Sequence, residues 1–125
     1  MIIGIGVDIL EIARVDKLNQ DFGERFARRV LTEDELLEFE RRKRSSNYLA
    51  MRFAAKEAAA KACGIGIGRE LGFHSMQIEN DALGKPMLRF LEDADALVAR
   101  LQIRNSLVSL SDEKHYVVAM VVLES

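Results

Sequence analysis

Residues 3–9 read Ile-Gly-Ile-Gly-Val-Asp-Ile, and this alternation constrains the fold more than any other stretch of the chain. Side chains on a strand point alternately to its two faces. Ile3, Ile5, Val7 and Ile9 therefore share one face, and Gly4, Gly6 and Asp8 share the other. The apolar set is expected to face a core, which leaves Asp8 on the opposite face beside two residues without side chains. Glycine inside a strand weakens it and marks places where a ligand or another backbone comes close. A second reading makes Asp8 the cap of a helix beginning near Leu10 or Glu11.

Residues 48–63 are rich in Ala, Leu, Met, Lys and Arg, with Asn47 placed to cap a helix and Gly64 to end it. On that helix Phe53, Glu57 and Lys61 fall on one strip, and Arg52 and Lys56 on a neighbouring one. Ala54, Ala55, Ala58 and Ala59 keep the surroundings small. Alone, the segment reads as an alanine-rich surface helix with a Glu57–Lys61 pair. Taken with Asp8 it suggests more, because Mg²⁺ takes oxygen ligands and needs one or two protein carboxylates when phosphate supplies others. Lysines beside such carboxylates act as point charges for the same phosphate. The two stretches together indicate a metal-assisted phosphate site.

The Gly6-Val7-Asp8 element, followed by Phe53-Ala54-Ala55-Lys56-Glu57 and by Lys61, resembles the 4′-phosphopantetheinyl transferases. Phe26-Ala27, Val30-Leu31-Thr32, the run Gly64-Ile65-Gly66-Ile67-Gly68 and Gly84-Lys85-Pro86 match in order and spacing. Residues 2–124 are similar to the short bacterial branch of that family. The resemblance implies transfer of the phosphopantetheinyl arm of coenzyme A to a serine hydroxyl of an apo-acyl carrier protein in fatty acid biosynthesis. Adenosine 3′,5′-bisphosphate is the implied leaving group. Asp8 and Glu57 would hold Mg²⁺, with Glu57 and Lys61 as the catalytic groups. Lys61, Lys56 and Arg52 would neutralise phosphate, and a water on the metal, helped by Glu57, would take the serine proton. Gly64, Gly66 and Gly68 would border coenzyme A; from the residues alone, that glycine-rich stretch is equally a plain turn.

The family docks an acidic helix of its carrier protein on the first helical region. The carry-over sets Arg14, Arg25 and Arg29 against partner carboxylates, with Leu18 and Phe26 in apolar contact. Lys17, Arg28 and the basic run 41–44 read as solvated surface. Many members of the family carry a Ser-His pair on the penultimate strand, and some lack the histidine. This chain reads Ser109-Leu110-Ser111-Asp112-Glu113 there, so only Ser109 is carried over to the coenzyme and the histidine has no counterpart. His74 and His115 lack catalytic context. Short members are homotrimers with shared sites: both metal ligands come from one subunit, and coenzyme contacts cross the interface.

The remaining sequence describes an α+β fold in which an antiparallel sheet packs against a long helix and shorter ones. Ile12, Val15 and Leu18 give a short amphipathic helix with Phe22 and Phe26 beyond it, and Thr32 with Glu35 forms a capping box for a helix to about Arg42. Residues 75–80 and 85–90 form a hairpin turning at Gly84, a helix covers 92–101, and strands cover 107–111 and 116–123. Pro86 places its strand start or an edge there. The chain of 125 residues is expected to be a single domain. A net charge of −2 argues against whole-molecule attraction to nucleic acid. No apolar run reaches membrane length, no export leader is read, and the lone Cys63 fits a reducing cytoplasm. Two rivals from other classes remain at this level. One is a noncatalytic module that binds an acidic protein or a nucleotide through Arg14, Arg25 and Arg29. The other is a Mg²⁺-dependent phosphohydrolase acting on coenzyme A or nucleotides.

Overall fold

A computed structural model describes residues 1–125. Its first strand, β1 (Ile2–Glu11), runs antiparallel to β5 (Tyr116–Glu124), which pairs in turn with β4 (Asn105–Asp112). Asp8 stands opposite Ala119 in mid-strand, so it is not a helix cap; α1 (Ile12–Phe22) begins only after Glu11. A separate antiparallel hairpin joins β2 (Met76–Asn80) and β3 (Pro86–Phe90), and Pro86 opens its strand. The shorter helices are α2 (Glu24–Val30), α3 (Glu33–Arg41) and α5 (Asp95–Leu101). The expected α+β architecture is therefore the observed one.

The alanine-rich helix, α4 (Ser46–Ala62), is central rather than superficial. Tyr48, Leu49, Ala50 and every alanine from Ala54 to Ala62 are buried. It lies across β1 so closely that a Cβ at Gly4 would meet the Ala62 carbonyl oxygen at 2.0 Å, and one at Gly6 would meet that of Ala58 at 2.0 Å. Backbone packs on backbone here, and only glycine on the strand and alanine on the helix fit.

That contact reverses the facing expected for β1. The glycine face turns inward with Asp8, and Ile5, Val7 and Ile9 turn outward, 63%, 57% and 68% exposed. The physical reason is distance: a helix seated this near the strand leaves no room for branched side chains beneath it. Leu107 and Met120 extend the outward apolar face across the sheet, whereas Val117, Ala119, Val121 and Leu123 of β5 face the core. Each fully buried Val, Leu or Ile contributes about 1.5–3 kcal/mol over an exposed one, so an uncovered face of this kind forgoes substantial burial.

Local rules account for most helix ends. Thr32 Oγ1 accepts from Glu35 N–H at 3.3 Å while Glu35 Oε1 accepts from Thr32 N–H at 2.9 Å, the reciprocal capping box of α3. The cap of α4 is Ser45, whose Oγ accepts from Tyr48 N–H at 3.3 Å. Asn47 instead lies inside the first turn and donates to Asp112 at 2.8 Å. Gly23, with φ of +58°, ends α1, and α2 begins at once; the sequence had suggested no separate helix there. No helix is long and apolar enough to cross a membrane.

Candidate active site

The close packing of β1 on α4 brings the two separated stretches together. Asp8 points inward from β1, and Lys61, on the last turn of α4, donates to Asp8 Oδ1 and to the Val7 carbonyl oxygen, each at 3.0 Å. Glu57, one turn earlier, stands near enough to both to feel their charge. Partial burial raises the Glu57 pKa above the ordinary carboxylate value, the Asp8 carboxylate raises it further, and the Lys61 ammonium opposes them. Two like charges held together at partial burial favour a cation between them. The donors are carboxylate oxygens, and the chain has no cluster of three or more His, Cys, Asp or Glu side chains suited to a metal. That set fits a hard ion completing its shell with water and phosphate oxygens, and does not suit zinc.

Glu57 also lines an apolar groove of about 710 Å³, together with Leu18, Phe22, Arg25, Phe26, Arg29, Val30, Phe53, Ile67 and Phe73. Its floor is an aromatic series: Phe53 lies 5.9 Å from Phe26 and 5.5 Å from Phe73 between ring centroids. Arginines rim it. Arg14, Arg25 and Arg29 are exposed and have no carboxylate within ion-pair distance. Lys17 and Arg28 differ, pairing with Asp21 at 3.3 Å and Glu24 at 3.6 Å. The basic residues read as solvated surface are thus the neutralised ones at this end of the molecule, and those singled out for a partner carry free charge.

The structure does not assemble every residue singled out for the site. Lys56 was expected to reach phosphate, but its side chain is fully buried and donates to Glu35 Oε1 at 2.6 Å, Val30 O at 2.7 Å and Phe73 O at 2.9 Å. An ammonium has only three protons. All three are committed, so Lys56 is corrected to an interior residue. The cause is helical rotation, which turns the Arg52–Lys56 strip away from the Glu57–Lys61 strip. Arg52 is likewise only 4% exposed. It donates to Asn80 Oδ1 at 2.7 Å and stacks over the Tyr48 ring at 4.5 Å, in a second, polar pocket of about 340 Å³ that includes Glu38 and Arg42. Its Nε is buried without a partner. Ser109 is exposed, in register with Met120 and so with Val7, on the sheet face opposite α4. Within one chain, neither Arg52 nor Ser109 joins Asp8 and Glu57.

Gly64, Gly66 and Gly68 follow α4 directly. Gly64 needs its φ of +76°, while a Cβ at any of the three would meet nothing within 4 Å, so the stretch lies beside open space. Cys63, buried at the same helix end, has its thiol pushed up to about 11 by burial and supplies no thiolate. His74 is exposed with a ring nitrogen 2.7 Å from Arg28 O, and His115 is exposed beside β5. Sequence reasoning missed Glu35 as the partner of Lys56; its capping-box position was visible, but its second task depends on tertiary packing. It also missed Phe73 and Ile67 as groove walls, whose only signal was apolar character in a glycine-rich region.

Comparison with known proteins adds independent findings. The sequence profile described as 4′-phosphopantetheinyl transferase superfamily matches residues 4–121. A holo-[acyl-carrier-protein] synthase from Shewanella frigidimarina is 52% identical over 124 residues, covering 99% of this chain and 98% of that protein. The crystal structure of holo-[acyl-carrier-protein] synthase from Neisseria meningitidis superposes with a TM-score of 0.95 at 46% identity, covering 100% of both chains. The Helicobacter pylori enzyme of the same name, solved in complex with coenzyme A, gives 0.86 at 31% identity, covering 96% of this chain and 99% of that one.

Proposed function

The chain belongs to the 4′-phosphopantetheinyl transferase superfamily, and on that premise we propose that it is a Mg²⁺-dependent holo-acyl-carrier-protein synthase serving fatty acid biosynthesis. The phosphopantetheinyl group moves from coenzyme A to a serine hydroxyl of the apo-carrier protein. The serine oxygen forms the new bond to the β-phosphorus, and the bond to the bridging pyrophosphate oxygen breaks. The electron pair leaves with adenosine 3′,5′-bisphosphate. The observation that most supports this is the meeting of Asp8 and Lys61, from stretches some fifty residues apart, with Glu57, which also lines the arginine-bearing apolar groove.

Each residue then has a task. Asp8 and Glu57 would hold Mg²⁺, which supplies charge stabilisation to the pyrophosphate as it cleaves. Lys61 exchanges part of its contact with Asp8 for the phosphate oxygens, and positioned charge of this kind carries most of the catalysis in phosphoryl-type transfer. Glu57, beside that ion, would assist removal of the serine proton. Gly64, Gly66 and Gly68 let the cofactor backbone pass close to α4. Leu18 and Phe26 receive apolar side chains of the carrier helix, and Arg14, Arg25 and Arg29 meet its carboxylates, steering encounter and fixing register. The nucleophile belongs to the partner.

The outward apolar face of β1, β5 and β4 supports assembly into a homotrimer, since burying Ile5, Val7, Ile9 and Met120 against other copies recovers what one chain leaves exposed. Arg52 and Ser109, turned away from their own Asp8–Glu57 pair, then serve the coenzyme site of a neighbouring subunit. The chain acts as one transferase domain in the cytoplasm.

Intact mass spectrometry of apo-acyl carrier protein after incubation with the protein, coenzyme A and Mg²⁺ tests the proposal. The expected result is a gain of one phosphopantetheinyl group, abolished by EDTA. Free phosphopantetheine with unmodified carrier would point to a hydrolase, and no turnover to a binding module.

A further inference from the structure

Lys56 precedes Glu57 in the chain, yet its side chain runs into the interior, fully buried. Burying an ammonium costs far more than burying an apolar side chain of equal length, so its stabilising value as an ion pair is small. Its acceptors say what it does instead. Val30 is the last residue of α2, and Phe73 belongs to the short turn before β2; both are walls of the groove, and Nζ ties their carbonyl oxygens to α4 at 2.7 and 2.9 Å. Glu35, the third acceptor, is itself fixed by Thr32 N–H at 2.9 Å and Ile78 N–H at 2.8 Å, so Nζ is anchored to the framework of α3 and β2. The same two groove segments are joined again at the surface, where the His74 ring meets Arg28 O at 2.7 Å.

We propose that Lys56 is a positioning residue for the carrier protein, holding the end of α2 and the Phe73 turn at a fixed spacing from the helix that carries Glu57. The inference rests on the transferase reading above. It assigns Lys56 no contact with coenzyme A or with the reacting phosphorus. Its loss therefore widens or slackens the groove without removing a catalytic charge.

Steady-state kinetics with varied apo-carrier protein and varied coenzyme A test this on Lys56→Met, Lys56→Arg and Glu35→Gln. Lys56→Met is expected to raise the KM for carrier protein about tenfold or more, while the KM for coenzyme A and kcat stay within about threefold. Lys56→Arg keeps positive charge against Glu35 but has a planar fork that cannot reach three divergent acceptors. It shows the same split in smaller measure and covers the case in which the methionine variant does not fold. Glu35→Gln lowers the unfolding midpoint yet leaves Nζ bonded to both carbonyls, so its carrier-protein KM stays within about twofold of the parent.

An unchanged carrier-protein KM in the Lys56 variants overturns the proposal, as does an equal rise in Glu35→Gln, which would mark a purely structural role. Should the parent protein show no transfer at all, the functional reading fails. Amide hydrogen exchange then decides the positioning claim by itself. Faster exchange around residues 27–31 and 73–76 in the Lys56 variants, with the rest of the chain unchanged, upholds it; unaltered exchange there overturns it.

Discussion

Lys56 and Lys61 sit on the same helix, little more than one turn apart, and have opposite fates. Lys61 is about half exposed and shares its protons between Asp8 and a strand carbonyl, so its contacts are open to exchange with solvent or a ligand. Lys56 is sealed in the core with every proton committed to an acceptor of the fold. Burial lowers its pKa from the ordinary lysine value, and the Glu35 carboxylate pulls it back up. Both lysines answer a carboxylate, but only one of them is free to answer a substrate. On the proposed function, one side of α4 carries chemistry and the other carries architecture, and the offset between the two strips decides which residue has which role.

Substitutions on the chemical side should stop transfer and spare the fold. Asp8→Ala and Glu57→Ala are expected to lower the rate of carrier modification by about 10²–10³-fold or more, read by intact mass, with circular dichroism unchanged. Retained activity in either would remove that residue from the site. The architectural side should behave in reverse. Gly6→Ala forces a Cβ to 2.0 Å from the Ala58 carbonyl oxygen. It should cost about 3 kcal/mol or more in denaturant unfolding, the upper range for overpacking. A tolerated alanine would mean that strand and helix are not in direct backbone contact.

At the rim the expected effects are smaller. Arg29→Ala should raise the carrier-protein KM by about fivefold at low salt, since one charged contact of this kind is worth about 1 kcal/mol, and the difference should shrink as ionic strength rises. Arg28→Ala, removing a residue already paired with Glu24, should change it far less. The smallest effect concerns pH. A carboxylate whose folded pKa lies above its unfolded one weakens the fold once ionised, so stability from this group falls as pH rises through the raised value. In metal-free buffer Glu57→Gln should therefore unfold at a slightly higher temperature than the parent at neutral pH. The advantage should vanish as pH falls into the ordinary carboxylate range; an advantage that persists there would point to another cause.

Much of this was legible in the sequence because the signals are local. The alternation of residues 3–9, the helix-forming run of α4, the Thr32–Glu35 box and the hairpin turning at Gly84 all depend on neighbours within a few positions. Asp8, Glu57 and Lys61 came together as the paired motifs required. What the sequence concealed depends on what lies across an interface. Periodicity separates the faces of β1 but does not say which one is inward. The usual preference for burying isoleucine fails here because α4 sits too close for anything larger than glycine. Lys56 and Arg52 looked like partners of the Asp8–Glu57 pair by type; the rotation of α4, set by its alanines against the sheet, turns Lys56 into the interior and Arg52 into a separate pocket. Polar residues on a buried helix take their meaning from their acceptors, and those acceptors are distant in sequence.

The transfer rate at saturating coenzyme A and saturating apo-carrier protein, compared between Lys61→Met and Lys56→Met, tests the division of α4 most directly. The account predicts a fall of about a hundredfold or more for Lys61→Met with an unchanged unfolding midpoint. For Lys56→Met it predicts a rate within about threefold of the parent despite a lowered midpoint, because breaking a buried pair costs about 3–5 kcal/mol of stability without removing a charge from the phosphate. A Lys61→Met protein that still turns over at the parental rate, or a folded Lys56→Met protein that loses it at saturation, would contradict the account.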